Sequence, residues 1–132
     1  MKKLFFLMFV LGFLFIQNND VKAQDCDIMY FCVKYDGGEI DCSDRFTTGE
    51  ITVMVRLAFP IYYTEVTIQA DKLDPYTGDF EYYADFPFDV DADMTYIYFP
   101  GIGFADPGIY RVFLLDPDRN TMTSALVEII PK

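Results

Sequence analysis

After residue 23, apolar and polar residues alternate along short segments that are separated by clusters of turn-forming residues. The clearest segment is 50–57, which places Ile51, Val53 and Val55 on one side and Thr52 and Met54 on the other. A period of two is typical of a β-strand with one buried face. Because no segment after residue 23 shows the helical period, the pattern predicts an all-β antiparallel sandwich or barrel.

Turn residues and alternation predict further strands at 28–35, 39–42, 62–70, 79–86, 94–99, 109–115 and 121–130. The segment 109–115 is apolar on both faces, as expected of a central strand. Pro100-Gly101 is predicted to end the strand before it. With no linker or internal repeat, residues 24–132 are predicted to form one β-sandwich domain of about seven strands, preceded by an N-terminal hairpin.

The N-terminal segment has the three-part layout of a secretory signal peptide. Lys2 and Lys3 precede an apolar run at 4–16, and Ala23 closes a small-residue cleavage site. The run is shorter than the roughly 18 apolar residues expected of a membrane span. We therefore predict cleavage after Ala23, a secreted or periplasmic location, and no membrane span in the remaining chain.

The charge of the chain excludes some classes of partner. Removal of residues 1–23 takes away three lysines and one aspartate, which changes the formal net charge from −11 to −13. Nucleic-acid binding needs clustered Lys and Arg, so no nucleic acid is expected as a partner. The chain has no histidine, which removes the commonest general base and most zinc sites. We therefore expect a non-catalytic protein, with a small carboxylate-based hydrolase as the alternative.

Three cysteines, Cys26, Cys32 and Cys42, lie close together after the cleavage site. The Asp36–Gly38 run is a turn signal, and a hairpin built on it would place Cys32 opposite Cys42. Export to an oxidising compartment favours a disulfide. We predict Cys32–Cys42, with Cys26–Cys42 as the second choice.

One local motif resembles a known family. The run Asp106-Pro107-Gly108-Ile109-Tyr110 is similar to the D-x-G-x-Y pattern that opens strand F of many immunoglobulin-like domains. The resemblance implies a tyrosine corner, in which the hydroxyl of Tyr110 bonds back to the preceding backbone, and it makes residues 96–99 similar to strand E. Val112 stands where antibody domains carry their second core cysteine, so the likeness is to disulfide-free, fibronectin-like sandwiches.

Two acidic runs are candidate calcium ligands, since calcium prefers several oxygen ligands in a tight loop. They are Asp89, Asp91 and Asp93, and then Asp116, Asp118 and Asn120. The alternative is that these residues only build turns.

The tyrosines are candidates for partner binding. Met94, Tyr96 and Tyr98 are predicted to share an outward face, with Tyr83 on a neighbouring strand. Exposed aromatic rows suit a protein or glycan partner, although they also stabilise sheets. The leading expectation is an exported binding or structural module, and the alternative is a calcium-stabilised module.

Overall fold

The computed structural model describes residues 26–132, which form nine strands. The signal peptide predicted for residues 1–23 lies outside the described residues. The strands are β1 (Ile28–Tyr35), β2 (Glu39–Ser43), β3 (Arg45–Thr47), β4 (Gly49–Arg56), β5 (Glu65–Leu73), β6 (Phe80–Asp89), β7 (Tyr96–Phe104), β8 (Gly108–Leu115) and β9 (Thr121–Ile130). None of the described residues belongs to a helix, so no helix of the length and apolarity of a membrane span occurs among them.

The strands form two sheets, which confirms the predicted all-β class. One sheet has the order β2-β1-β4-β7, and the other has the order β3-β9-β8-β5-β6. All neighbouring pairs are antiparallel except β3 and β9, which run parallel. Inward-facing side chains of both sheets meet in one hydrophobic core, as in a β-sandwich.

The predicted N-terminal hairpin is an integral part of a sheet. Strand β1 pairs with β2 through the Asp36–Gly38 turn and also with β4, so the hairpin extends the four-stranded sheet at its edge. Cys32 and Cys42 are direct cross-strand partners joined by a disulfide. The Cys32–Cys42 prediction is confirmed, and the alternative pairing of Cys26 with Cys42 is wrong.

The strand 94–99 does not end at Pro100-Gly101, and that prediction is wrong. Strand β7 continues to Phe104 because a bulge absorbs the two residues. Ile51 pairs with Ile102 and Val53 pairs with Phe99, so a single residue of β4 faces two residues of β7. Gly101 has φ 75°, a conformation that glycine adopts without steric cost. The short strand β3 was not predicted, because three residues carry too little alternation to be recognised.

Strand β4 is more buried than its alternation predicts. Ile51, Val53 and Val55 face the core, as expected, but Thr52 and Met54 on the opposite face are buried as well. Met54 pairs with Tyr30 on one side and with Tyr98 on the other. Large aromatic side chains from both neighbouring strands therefore lie beside Met54 on the outer face of this sheet.

Candidate binding surface

Four tyrosines gather on the outer face of the four-stranded sheet. We call this set, together with Glu39 and Arg56, the tyrosine platform; the tyrosines are Tyr30, Tyr35, Tyr96 and Tyr98. Side chains at every second position of a strand share a face, which brings the outward residues of β1, β4 and β7 into register. Tyr30, Met54 and Tyr98 form one cross-strand row, and Arg56 pairs with Tyr96 in the next row.

The carboxylate of Glu39 is the polar centre of the platform. Its Oε1 accepts hydrogen bonds from the hydroxyls of Tyr30 and Tyr96, the second at 2.8 Å. Arg56 donates from Nε to the hydroxyl of Tyr30 at 3.0 Å, and its terminal nitrogen lies 3.7 Å from Oε1 of Glu39. These donors join β1, β2, β4 and β7 into one network on the sheet surface.

The network shifts the ionisation of its members. The hydrogen bonds from Tyr30 and then Tyr96, together with the charge of Arg56, lower the pKa of Glu39 below its ordinary value. Loss of hydration on the sheet surface, and then the bond to Glu39, raise the pKa of Tyr96. At neutral pH the centre therefore holds the carboxylate of Glu39, the guanidinium of Arg56 and the neutral hydroxyl of Tyr96.

The rings of the platform are in contact with one another. Tyr35 stacks on Tyr98 with ring centroids 4.4 Å apart, and it meets Tyr96 edge to face at 6.1 Å. The guanidinium of Arg56 lies 4.9 Å from the ring centroid of Tyr96 and 5.9 Å from that of Tyr30. Tyr96 and Tyr98 nevertheless stay 38% and 46% exposed. The platform thus presents ordered aromatic area to solvent.

Two residues expected on this surface lie elsewhere. Met94 precedes β7 and packs against the hydrophobic core, so its predicted outward face with Tyr96 and Tyr98 is wrong. Tyr83 belongs to β6 of the other sheet, so its predicted position on a strand neighbouring β7 is also wrong.

A bulge explains the position of Tyr83. Ala70 pairs with Ala84 and Asp71 pairs with Tyr82, which leaves Tyr83 as the extra residue of β6 and turns its ring inward. The ring lies 5.0 Å from that of Tyr110, and its hydroxyl accepts the N–H of Ala105 at 3.0 Å.

The sequence did not indicate that one surface is formed by Tyr30, Tyr35, Glu39 and Arg56. Tyr30 and Arg56 occupy outward positions of their strands, a signal that the alternation carried. Glu39 and Tyr96, however, are separated by 57 residues along the chain. Only the pairing of β1 with β4, and of β4 with β7, brings them together.

The tyrosine of the D-x-G-x-Y motif lies in the hydrophobic core. Tyr110 is fully buried, and its hydroxyl donates to the backbone carbonyl of Asp106 at 2.6 Å, which is the bond that the motif implies. Its ring also lies 4.6 Å from that of Phe104. Burial, and then the neighbouring Tyr83, raise the pKa of Tyr110.

The second acidic run builds a turn. Oδ1 of Asp116 accepts the backbone N–H groups of Asp118 and Asn120, both at 2.9 Å. This is the Asx pattern that aspartate supplies to turns. Asp89 and Asp116 both line a groove of about 520 Å³ at this end of the fold.

No carboxylate triad forms from either acidic run. Within residues 26–132, the one group of three acidic or cysteine ligand atoms within 4.8 Å is Cys32, Glu39 and Cys42, and its two cysteines form the disulfide. The geometry of Asp89, Asp91 and Asp93 or of Asp116, Asp118 and Asn120 therefore adds no support to a calcium site, which stays a prediction.

No protein-family model matches the sequence, and a search of curated proteins found no match to it. The function of the protein is therefore inferred from its fold and from the geometry of its surfaces.

Proposed function

We propose that this protein is an exported, non-catalytic binding module with an immunoglobulin-like fold, and that the tyrosine platform is its contact surface for a protein or glycan partner. The observation that carries the proposal is the collection of four tyrosines on one sheet face, two of which remain 38% and 46% exposed. Tyrosine and arginine are enriched in the centres of protein interfaces and among their strongest contacts.

The strand order supports the immunoglobulin-like assignment. In that fold, strands B and E share one sheet, while C, F and G form the other. Strand β8 carries Tyr110 and lies between β5 and β9, as strand F lies between C and G, and β4 pairs with β7 as B pairs with E. Strand β2 has no counterpart in this order.

Export is supported by the disulfide and by the N-terminal sequence. A disulfide such as Cys32–Cys42 persists in extracellular and periplasmic proteins and is rare in a reducing cytosol. The basic and apolar segments before Ala23 have the layout of a secretory signal. Both features agree with a secreted or periplasmic location.

The contacts within the platform favour a binding role over sheet stabilisation alone. Cross-strand aromatic pairs stabilise a sheet by roughly 0.2–1 kcal/mol each, and the platform contains such pairs. However, Tyr30 and Tyr96 are also held by Glu39, and Tyr35 is stacked on Tyr98. Side chains that are already ordered lose little conformational entropy on binding, which favours affinity.

The test compares retention of partners by the wild-type protein and a platform variant. The exported protein is immobilised and incubated with an envelope extract of its source cells and, separately, with a glycan array. We expect Tyr98→Ser to weaken retention of the partner by about 30-fold if Tyr98 is a strong contact. Tyr76→Ser is the matched control, because Tyr76 is 97% exposed on a distant turn.

Both variants must keep the thermal midpoint of the wild type within a few degrees for the comparison to count. If no protein or glycan is retained, or if every retained molecule binds the Tyr98→Ser variant as tightly as the wild type, the proposed contact surface is wrong.

A further inference from the structure

The tyrosine platform has two halves, which differ in whether their rings and hydroxyl groups have a charged partner within the molecule. In the closed half, Arg56 lies over the rings of Tyr30 and Tyr96, and both hydroxyls bond to Glu39. In the open half, formed by Tyr35 and Tyr98, the rings stack on each other. Within residues 26–132, neither of these two rings has a cation over it, and neither hydroxyl makes a hydrogen bond.

We infer that the open half binds an arginine side chain of a basic protein partner. The inference rests on the proposed function, because it assigns the occupant of the same surface. A guanidinium placed over the face of a tyrosine is attracted by the ring quadrupole, and its planar shape also allows stacking. The closed half supplies an example within the molecule, since Arg56 occupies this position over Tyr96 at 4.9 Å.

The accessibility of Tyr98 is suited to this contact. Tyr98 is 46% exposed although it is stacked on Tyr35 at 4.4 Å. The ring of Tyr98 packs on that of Tyr35 within the molecule, and the remaining exposed area of Tyr98 is open to a partner. The hydroxyls of both tyrosines are available as acceptors for the N–H groups of a guanidinium.

The net negative charge of the protein favours a basic partner. The formal net charge is −11 for the whole chain and becomes −13 when residues 1–23 are removed. Lys34 adjoins Tyr35 in β1, but the exposed Asp36 follows on its other side, and Arg56 is paired with Glu39. A basic partner is attracted by the overall field, whereas a second copy of this chain or an acidic glycan is repelled.

The test uses a synthetic peptide, Arg-Gly-Arg-Gly-Arg, and the same peptide with citrulline in place of arginine. Citrulline keeps the planar shape and lacks the charge. Binding of each peptide to the full exported protein is measured by calorimetry at low and high salt. We expect the arginine peptide to bind more tightly than the citrulline peptide, and its affinity to fall with added salt.

The platform variant is Tyr98→Leu, which keeps apolar area and removes the aromatic face. We expect it to weaken the arginine peptide about two- to fivefold, the size of an exposed cation–π contact. The matched control is Tyr76→Leu at the 97% exposed position, which should leave the affinity unchanged. Ring resonances of Tyr35 and Tyr98 should shift during a titration of the arginine peptide, and those of Tyr76 should not.

Three outcomes overturn the inference. If Tyr98→Leu leaves the affinity unchanged, or if Tyr76→Leu weakens it equally, the peptide is held only by general charge attraction. If the citrulline peptide binds as tightly as the arginine peptide, the contact does not select a cation. In each case a partner from the envelope extract that depends on Tyr98 would still support the proposed function, so the failures of the two proposals are distinguishable.

Discussion

The hydroxyl of Tyr110 offers a sharp test of how this fold is stabilised. The substitution Tyr110→Phe removes one oxygen atom and keeps the ring contacts with Tyr83 and Phe104, at 5.0 and 4.6 Å. It deletes the 2.6 Å bond to the carbonyl of Asp106. A hydrogen bond of this kind contributes about 0.5–1.5 kcal/mol net, and more when its former partner stays buried.

Asp106 itself is exposed, so water can reach its carbonyl after the substitution. We therefore expect Tyr110→Phe to lower the free energy of unfolding by about 1 kcal/mol. For a domain of about 100 residues this corresponds to a fall of about 4–8 °C in the thermal midpoint. Urea unfolding followed by circular dichroism measures the first quantity, and calorimetry measures the second.

The pH dependence gives the same prediction a second readout. Burial, and then Tyr83, raise the pKa of Tyr110 above its ordinary value of 10.0 in the folded state. The unfolded chain therefore loses the proton of Tyr110 at a lower pH than the folded protein does. The contribution of this hydroxyl to the free energy of unfolding is complete below pH 10 and is lost as the pH rises above 10. The difference in stability between the wild type and Tyr110→Phe should shrink above pH 10, because the variant has no proton to lose at this position.

The control is Tyr76→Phe, which removes a hydroxyl from a 97% exposed side chain and should change stability by less than about 0.5 kcal/mol. The reasoning is refuted if Tyr110→Phe and Tyr76→Phe are equally stable at pH 7. A difference that stays constant from pH 7 to pH 11 would likewise refute the assigned ionisation.

Three further predictions concern the hairpin, the platform and the β7–β8 corner. Cys32→Ala with Cys42→Ala opens a cross-link with a sequence separation of 10 and should cost about 2–3 kcal/mol in urea unfolding. The pKa of Glu39 is lowered in the folded protein. The stability that its carboxylate contributes is therefore present above pH 4.5 and is lost as the pH falls below that value. Glu39→Gln should therefore reduce stability at pH 7 and weaken the acid dependence in a urea titration from pH 7 to pH 3. Gly108→Ala should cost about 1 kcal/mol or more, because Gly108 has φ 155°, a backbone conformation that side chains with a Cβ rarely adopt.

Matched controls separate these predictions from general effects of substitution. Glu81→Gln changes an exposed carboxylate of β6 and should change the stability at pH 7 by less than about 0.5 kcal/mol. Gly38→Ala adds a Cβ that meets nothing within 4 Å and should cost less than about 0.5 kcal/mol. Equal unfolding midpoints for the wild type and the double cysteine variant would contradict the cross-link prediction.

Local sequence was sufficient to predict most strands, the hairpin pairing and the position of Tyr110. The alternation of apolar and polar residues at 50–57 predicts a strand, because neighbouring side chains of a strand point to opposite faces of the sheet. The Asp36–Gly38 turn sets the register that places Cys32 opposite Cys42. These features depend on residues close together in the chain, so their physical causes are present in the sequence itself.

The tertiary structure alone decided which strands are neighbours and where the chain bulges. Tyr83 looks like an outward strand residue, but a one-residue bulge turns it toward Tyr110 in the core. The platform joins Glu39 to Tyr96 across 57 residues through the pairing of β1, β4 and β7. Strand pairing and bulges follow from the packing of the whole core, because a shift of one residue exchanges the buried and exposed faces of a strand. No local pattern contains that information.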